Sequence, residues 1–331
     1  MRVLILGAAG MLGRKLTQRM LQDGALGGVT LRHLDLADVV AATAPVDHGI
    51  EIASFAVDIS DAKQMNSLIA RRPDVIFHLA AIVSGEAETE FEKGYAINLD
   101  ATRFCLEAIR SHGPSYRPRL VFTSSIAVFG APFPDEIDDT YATTPLTSYG
   151  TQKAMDELLL SDYSRKGFVD GIALRLPTIC VRPGLPNKAA SGFFSGIIRE
   201  PLAGKPAILP VSTHVRHWHA SPRAAIGFLL HAAVLDLSRL GASRALNLPG
   251  LCVSVEEQIE ALRRVAGNAA VALIKHESDA AIAKIVAGWP QKFNPARALA
   301  LGFGGDASFD DIIKCHIEDE MGGKPGAPKS N

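Results

Sequence analysis

Apolar and polar positions follow two rhythms along the first half of the chain. Val3-Leu4-Ile5-Leu6 is an unbroken apolar run, the pattern of a strand buried on both faces. From Met11 to Asp23 the rhythm turns helical, with Leu12, Leu16, Met20 and Leu21 on one face. Val29 to Leu34 reads as a second strand and Ile52 to Val57 as a third, after which Ser60-Asp61 opens a helix through Ala70. Asp74 to Leu79 predicts a fourth strand, Phe91 to Ser111 a long helix and Arg119 to Thr123 a fifth strand. Ser148 to Arg165 predicts a helix and Gly171 to Leu176 a sixth strand. Strands alternating with helices make an α/β fold, a doubly wound parallel sheet with helices on both faces. Ligands of such sheets bind beyond the carboxyl ends of the strands.

After Leu176 the alternation stops. Pro177, Pro183, Pro186, Pro201, Pro206 and Pro210 break the next stretch into loops and one helix near Gly192 to Glu200. A helix from Pro222 to Leu235, a strand at Ala245 to Leu248, and a capping box at Ser254-Val255-Glu256-Glu257 opening a helix to Val265 follow. The expected division is a nucleotide-binding domain over 1–176, a mainly substrate-binding domain over 177–321 interleaved with the sheet, and a flexible tail over 322–331.

The 331 residues carry a formal net charge of −1, with 47% apolar and 21% charged positions, enough to bury a sizeable core. That balance lacks the basic footprint of a nucleic-acid binder. No polybasic run and no uncharged apolar stretch of membrane-spanning length appears, so no membrane partner is expected. Cys105, Cys180, Cys252 and Cys315 are too far apart for a metal or redox motif. They read as reduced cysteines of a cytoplasmic protein.

Gly7-Ala8-Ala9-Gly10-Met11-Leu12-Gly13 leads straight from the first strand into a helix. In such a turn Gly7 permits the bend, Gly10 lets a pyrophosphate approach the backbone, and Gly13 lets the helix pack on the sheet. The first N–H groups of the helix, around Met11 and Leu12, offer donors and partial positive charge to phosphate. Asp35 is the candidate acid for the adenosine ribose hydroxyls, which would favour NAD over NADP by repelling a 2′-phosphate. Neighbouring Arg32 could instead welcome that phosphate. Asp58-Ile59 suits an adenine pocket, and Asp58 equally suits a cap near Ser60. Leu79-Ala80-Ala81 would let a cofactor lie against the backbone.

Tyr149 and Lys153 stand at i and i+4, on one helix face. A cation beside a phenol favours the phenolate, which can then take a proton from a substrate hydroxyl. Ser125, in the pair Ser124-Ser125, adds a hydroxyl able to hold the reacting oxygen. The ordered set formed by the glycine turn, Asp58-Ile59, His78-Leu79-Ala80-Ala81, Asn98, Thr123 to Gly130 and Tyr149 to Lys153 resembles the extended short-chain dehydrogenase/reductase family, also called the NAD-dependent epimerase/dehydratase family. The resemblance covers nearly the whole chain. It implies a Rossmann domain, a smaller C-terminal substrate domain and NAD as cofactor. It makes Ser125, Tyr149 and Lys153 catalytic, with Lys153 also on the nicotinamide ribose. Asn98, Thr123, Pro177 and Thr178 join the cofactor set by the same resemblance. Phe129 departs from the Tyr usual before the Gly, at a position that resembles a packing site.

Arg175 to Gly184 and Arg216 to Arg223 resemble a branch that oxidises carbon 2 of a small sugar acid with NAD. The rivals are a nucleotide-sugar epimerase, an L-threonine 3-dehydrogenase-like enzyme and a non-catalytic dinucleotide sensor. A dehydratase fits less well, because Ile126-Ala127 stand where that class has Asp-Glu. A sugar acid needs a cation, and Arg216 ranks first, Arg182 second, with Ser84, Asn187 and His217 as hydroxyl partners. Arg175 reads as structural. His214, His217 and His219 cluster, with His217 and His219 alternate along a strand, but no acidic neighbour supports a metal. The family commonly pairs two helices into a homodimer. Phe104, Leu106, Ile109, Leu158, Leu159 and Leu160 supply apolar surface for that.

Overall fold

A computed structural model describes residues 1–43, 49–184 and 190–324. The chain forms two compact units, Met1–Val128 with Pro145–Arg175 and Ile226–Leu246, and Phe129–Thr144 with Leu176–Ala225 and Asn247–Asn331. The division is interleaved, and residue 176 is not a single cut.

The main sheet contains seven strands, β1 (Arg2–Leu6), β2 (His33–Asp38), β3 (Glu51–Ala56), β4 (Val75–His78), β5 (Arg119–Ser125), β6 (Asp170–Leu176) and β7 (Ala245–Asn247). Their order is β7-β6-β5-β4-β1-β2-β3. β1 pairs in parallel with both β2 and β4, so the winding reverses beside β1. In doubly wound sheets that reversal opens a crevice at the carboxyl ends. The first unit packs helices α1 (Met11–Asp23), α2 (Ala62–Ile69), α3 (Ala101–Ser111) and α4 (Ser148–Arg165) with this sheet. α1 closes on Gly24 at φ 63, whose N–H reaches the Met20 carbonyl. Asp61 caps α2 through the N–H groups of Lys63 and Gln64. Leu4, Leu6, Ile76, Leu120 and Phe122 lie in the core with Leu106, Ile109 and Leu160. These last three, expected at a subunit interface, are thus used internally. Leu158 is 72% exposed.

Two elements differ from the sequence reading. The second strand begins and ends later than Val29 to Leu34, because Gly27 and Gly28 at φ 58 and 78 turn Ala25–Leu26 back on Val29–Thr30 as a small hairpin. β2 then continues past Asp35 to Asp38. The long helix from Phe91 is interrupted by a π-helical turn at Tyr95–Asp100, which carries Asn98.

The second unit holds a three-stranded sheet. Arg216–Ala220 pairs antiparallel with Leu251–Ser254 and parallel with Thr178–Ile179. A separate parallel pair joins Ala207–Leu209 to Ile274–His276. The expected capping box is present, with Ser254 accepting from the Glu257 N–H and Glu257 from the Ser254 N–H. Its helix, Val255–Val271, bends at Gly267 (φ 81). Phe194, Ile197, Leu262, Ile312 and Ile313 form the core. Among the described residues, no helix is long and apolar enough to cross a membrane.

Candidate active site

The glycine turn fills the space between β1 and α1. A Cβ at Gly7, where φ is 89, would stand 2.7 Å from the Ala80 nitrogen, and one at Gly13 would stand 2.2 Å from the Gly7 carbonyl oxygen. Both glycines are therefore required by the protein's own backbone. Gly10 is different. Its φ is −68, it is exposed, and the nearest atom to an added Cβ is the Gly7 oxygen at 3.3 Å. No side chain caps α1 there, and its first turn holds no acid. An open, uncapped helix start behind a glycine fits a pyrophosphate.

Asp35 is a correction. It lies inside β2 with its side chain 2% exposed, and both oxygens meet arginines. Arg71 donates to it at 2.9 and 3.1 Å, and Arg2 at 3.0 and 3.3 Å. That carboxylate is not available to a ribose. Asp38 occupies the strand end instead. Its Oδ2 accepts the Ala9 N–H at 2.9 Å and its Oδ1 the Val39 N–H at 2.7 Å, which ties it to the glycine turn. The missed signal is simple, since a buried acid in mid-strand looks in sequence like the strand's end. Arg32 is exposed just before β2, at the amino end of that strand, so it is no rival for a 2′-phosphate. Asp58 is also exposed, and its Oδ1 accepts both the Ser60 N–H at 2.9 Å and the Ser60 hydroxyl at 2.6 Å. Ile59 beside it is buried.

Asn98 is buried and spends its amide on the protein. It accepts from the Ile82 N–H at 2.9 Å and donates to Gln152 Oε1 at 2.7 Å. It therefore joins the segment after β4 to α4. Thr123 likewise donates to the His78 carbonyl at 3.1 Å. Leu79 and Ala80 are half-buried, Ala81 is exposed, and Ser84 opens the short helix Ser84–Thr89.

Ser125 ends β5, and Tyr149 and Lys153 lie on α4, whose first turn is capped by Thr147. Gly150 decides how near these elements come, because a Cβ there would be 2.1 Å from the Ala127 oxygen. Ser125 Oγ accepts the Ala127 N–H at 3.1 Å, which leaves its own proton to donate. Lys153 is fully buried, with Nζ 4.4 Å from the Phe122 ring centre and 5.8 Å from that of Tyr149. Burial pulls its ammonium down to about 8, against the opposing pull of Asp156 and Glu157. Glu157 is in turn held by the Ser124 hydroxyl at 2.5 Å and by Arg175 at 2.7 and 2.9 Å, which confirms Arg175 as structural.

In the second unit, Arg216 is about half exposed and pairs with Glu257 at 3.3 Å, on a surface groove that Glu256, Glu260 and Arg264 also line. The expectation of a carboxylate clamp there gives way to a surface ion pair. Arg182 is partly buried and donates from Nε to the Ile179 carbonyl at 3.1 Å. His217 is buried with both ring nitrogens engaged, by Thr178 and by Pro290, so it is no direct hydroxyl partner. Pro177 is buried and Thr178 is partly exposed. Asn187 lies outside the described residues.

Residues 3–223 match the NAD dependent epimerase/dehydratase family. A D-erythronate dehydrogenase of Cupriavidus necator is 49% identical over 323 residues, covering 96% of this chain and 98% of its own. One of Haemophilus influenzae is 44% identical, covering 97% and 100%. A crystal structure described as a nucleoside-diphosphate-sugar epimerase from Agrobacterium tumefaciens has a TM-score of 0.96 and 58% identity, covering 98% and 95%.

Proposed function

The chain belongs to the NAD-dependent epimerase/dehydratase family, and from that premise we propose that it is an NAD-dependent dehydrogenase oxidising the carbon-2 hydroxyl of a small sugar acid, D-erythronate, to the 2-keto acid. What supports this reading is the presence of Ser125, Tyr149 and Lys153, with Gly150 letting α4 approach the Ala127 carbonyl, in a chain so similar to D-erythronate dehydrogenases over nearly its whole length.

The glycine turn and the open start of α1, at Met11 and Leu12, would hold the pyrophosphate of NAD. Asp38 would take the ribose hydroxyls, Asp58 and Ile59 the adenine, and Leu79 to Ala81 the space against the backbone. NAD⁺, when bound, supplies the hydride acceptor for the two-electron oxidation. Tyr149, as phenolate, takes the proton of the substrate hydroxyl. Ser125 donates to that oxygen, its hydroxyl already aimed by the Ala127 N–H. Lys153 favours the phenolate by its charge and would hold the nicotinamide ribose. For the acid's carboxylate, Arg182 is the cation we now assign in place of Arg216.

The epimerase reading is favoured by the description of the Agrobacterium tumefaciens structure, and one assay separates the two. With D-erythronate and NAD⁺ we expect one NADH and one 2-keto acid per turnover. Inversion of a nucleotide sugar without net NADH, and no oxidation of any sugar acid, would replace the dehydrogenase by the epimerase. L-threonine in the same assay tests the threonine dehydrogenase alternative, and a chain that binds NAD but turns over nothing would be a sensor. Homodimerisation belongs to the same proposal, with Leu158 and Met155 on α4 exposed by 72% and 38%. Sedimentation as a monomer alone at micromolar concentration would remove it.

A further inference from the structure

Within the second unit the Pro290 carbonyl, the His217 ring and the Thr178 hydroxyl stand in series. His217 Nδ1 lies 3.1 Å from the Pro290 oxygen, and Nε2 lies 2.7 Å from Thr178 Oγ1. A backbone carbonyl only accepts, so Nδ1 must carry a proton and donate to it. Burial holds the imidazole down to about 4, so at neutral pH the ring has this one N–H. Nε2 is then an acceptor, and the Thr178 hydroxyl has to donate to it. The ring is held in this orientation. It is 3% exposed, stacks on Phe194 at 5.2 Å with an interplanar angle of 2°, and meets Trp289 at 5.2 Å. Turning it over would set ring carbons against both oxygens.

The consequence falls on Thr178. Its hydroxyl proton is committed inward, and only oxygen lone pairs remain for anything outside. Thr178 is partly exposed and stands two residues beyond the carboxyl end of β6, the end at which such sheets bind ligands. We propose that Thr178 is a specificity-determining residue, an obligate hydrogen-bond acceptor set by the Pro290–His217 relay, that takes an O–H or N–H donor of the ligand and rejects a carboxylate or phosphate oxygen at the same point. The proposal rests on the dehydrogenase reading for the donor's two sources, a hydroxyl of the sugar acid or the carboxamide of nicotinamide. His217 is the positioning residue.

Two measurements test it. The first is ¹⁵N NMR of histidine-labelled protein, with His217 assigned by loss of its signals in His217→Phe. We expect a protonated Nδ1 and an unprotonated Nε2 throughout pH 6–8, whatever the substrate. A protonated Nε2 would make Thr178 the acceptor of the ring's proton and overturn the relay. The second compares Thr178→Val, which keeps shape and loses the acceptor, with Thr178→Ser, which keeps it. Val should weaken one ligand about tenfold, and Ser should stay within about threefold of wild type. A rise in KM for the sugar acid with unchanged NAD affinity, read by fluorescence titration, assigns the donor to the substrate. The reverse pattern assigns it to nicotinamide. A folded Val variant unchanged in both would sink the acceptor role. If no sugar acid turns over, the dehydrogenase reading fails by itself, and the relay is still decided by the ring's tautomer and the NAD titration.

Discussion

Gly7, Gly13 and Gly150 in the first unit each occupy a point where one added carbon would collide with backbone, at 2.7, 2.2 and 2.1 Å. Arg216, Arg182 and His217 in the second unit have side chains whose partners are set by packing. His217 meets a carbonyl 73 residues away, and Arg216 a carboxylate 41 residues away. The first kind of position admits one residue type and so shows in the sequence. The second kind is decided by which partner arrives, and no local pattern announces it. The glycine-bearing end of the first unit, the candidate catalytic end, is thus built by exclusion, and the polar groups of the second by competition among partners.

The largest effect should come where exclusion and chemistry meet. Tyr149→Phe should lower kcat by about 10²–10⁴-fold, the usual worth of a general base, with NAD affinity nearly unchanged. Gly150→Ala should approach the low end of that range although it removes no reacting group, because the Ala127 carbonyl must move. A Phe variant with wild-type turnover would take the base away from Tyr149. A fully active Ala variant would show that the close approach of α4 is not needed.

Next comes a pair of acids on one strand. Asp35→Asn should cost about 1–3 kcal/mol of stability and leave cofactor choice alone. That range sits below a fully buried pair because Arg2 and Arg71 keep 21% and 33% of their side chains in solvent. Asp38→Asn keeps an oxygen for the Ala9 N–H but loses the charge. It should raise KM for NAD about tenfold and reduce the preference over NADP. If the two variants exchange these outcomes, the ribose acid is Asp35 after all.

This pair also shows what the sequence carried and where it stopped. α1 and α4 match their predicted spans, since Gly24 ends one and Thr147 caps the other by local rules. The doubly wound α/β alternation and the glycine turn were equally legible, whereas the order of the seven strands came only with the structure. The end of β2 was not, because the arginines that neutralise Asp35 come from positions 2 and 71. The π-helical turn at Asn98 was not legible either, because its amide is drawn to Ile82 and Gln152 from outside its own helix.

A smaller, graded effect should appear in acid. Burial lowers His78 to about 3, His217 to about 4 and His219 well below the ordinary value. Unfolded histidines take a proton near pH 6.5, so between there and the folded values the unfolded chain binds more protons. Stability is full above about pH 6.5 and falls as pH drops toward 4, by up to about 1.4 kcal/mol per pH unit for each ring. Two of the three rings lie in the second unit, so that unit should weaken first. Urea midpoints at pH 7, 6 and 5 would show the fall, and His217→Phe should flatten it by one ring's share. An unchanged slope in that variant would mean His217 is not neutral in the folded protein.

The smallest effect is expected at the cation that the sequence ranked first for the substrate carboxylate. Arg216 has 47% of its side chain exposed and faces Glu257, which is 50% exposed and also closes the capping box of the helix at Val255. A solvent-exposed pair of this kind is worth about 0–1 kcal/mol, and salt screens it further. Arg216→Ala should therefore change kcat/KM for the sugar acid by less than about twofold and barely shift the urea midpoint. Arg182→Lys should do more. It keeps the charge but loses the planar fork that meets a carboxylate at two points, as well as the Nε–H that reaches the Ile179 carbonyl. A loss of kcat/KM beyond tenfold in Arg216→Ala, with NAD affinity intact, would mean that the Glu257 pair opens to admit the substrate. Arg216 would then be the clamp, and competition among partners would be settled by the ligand itself.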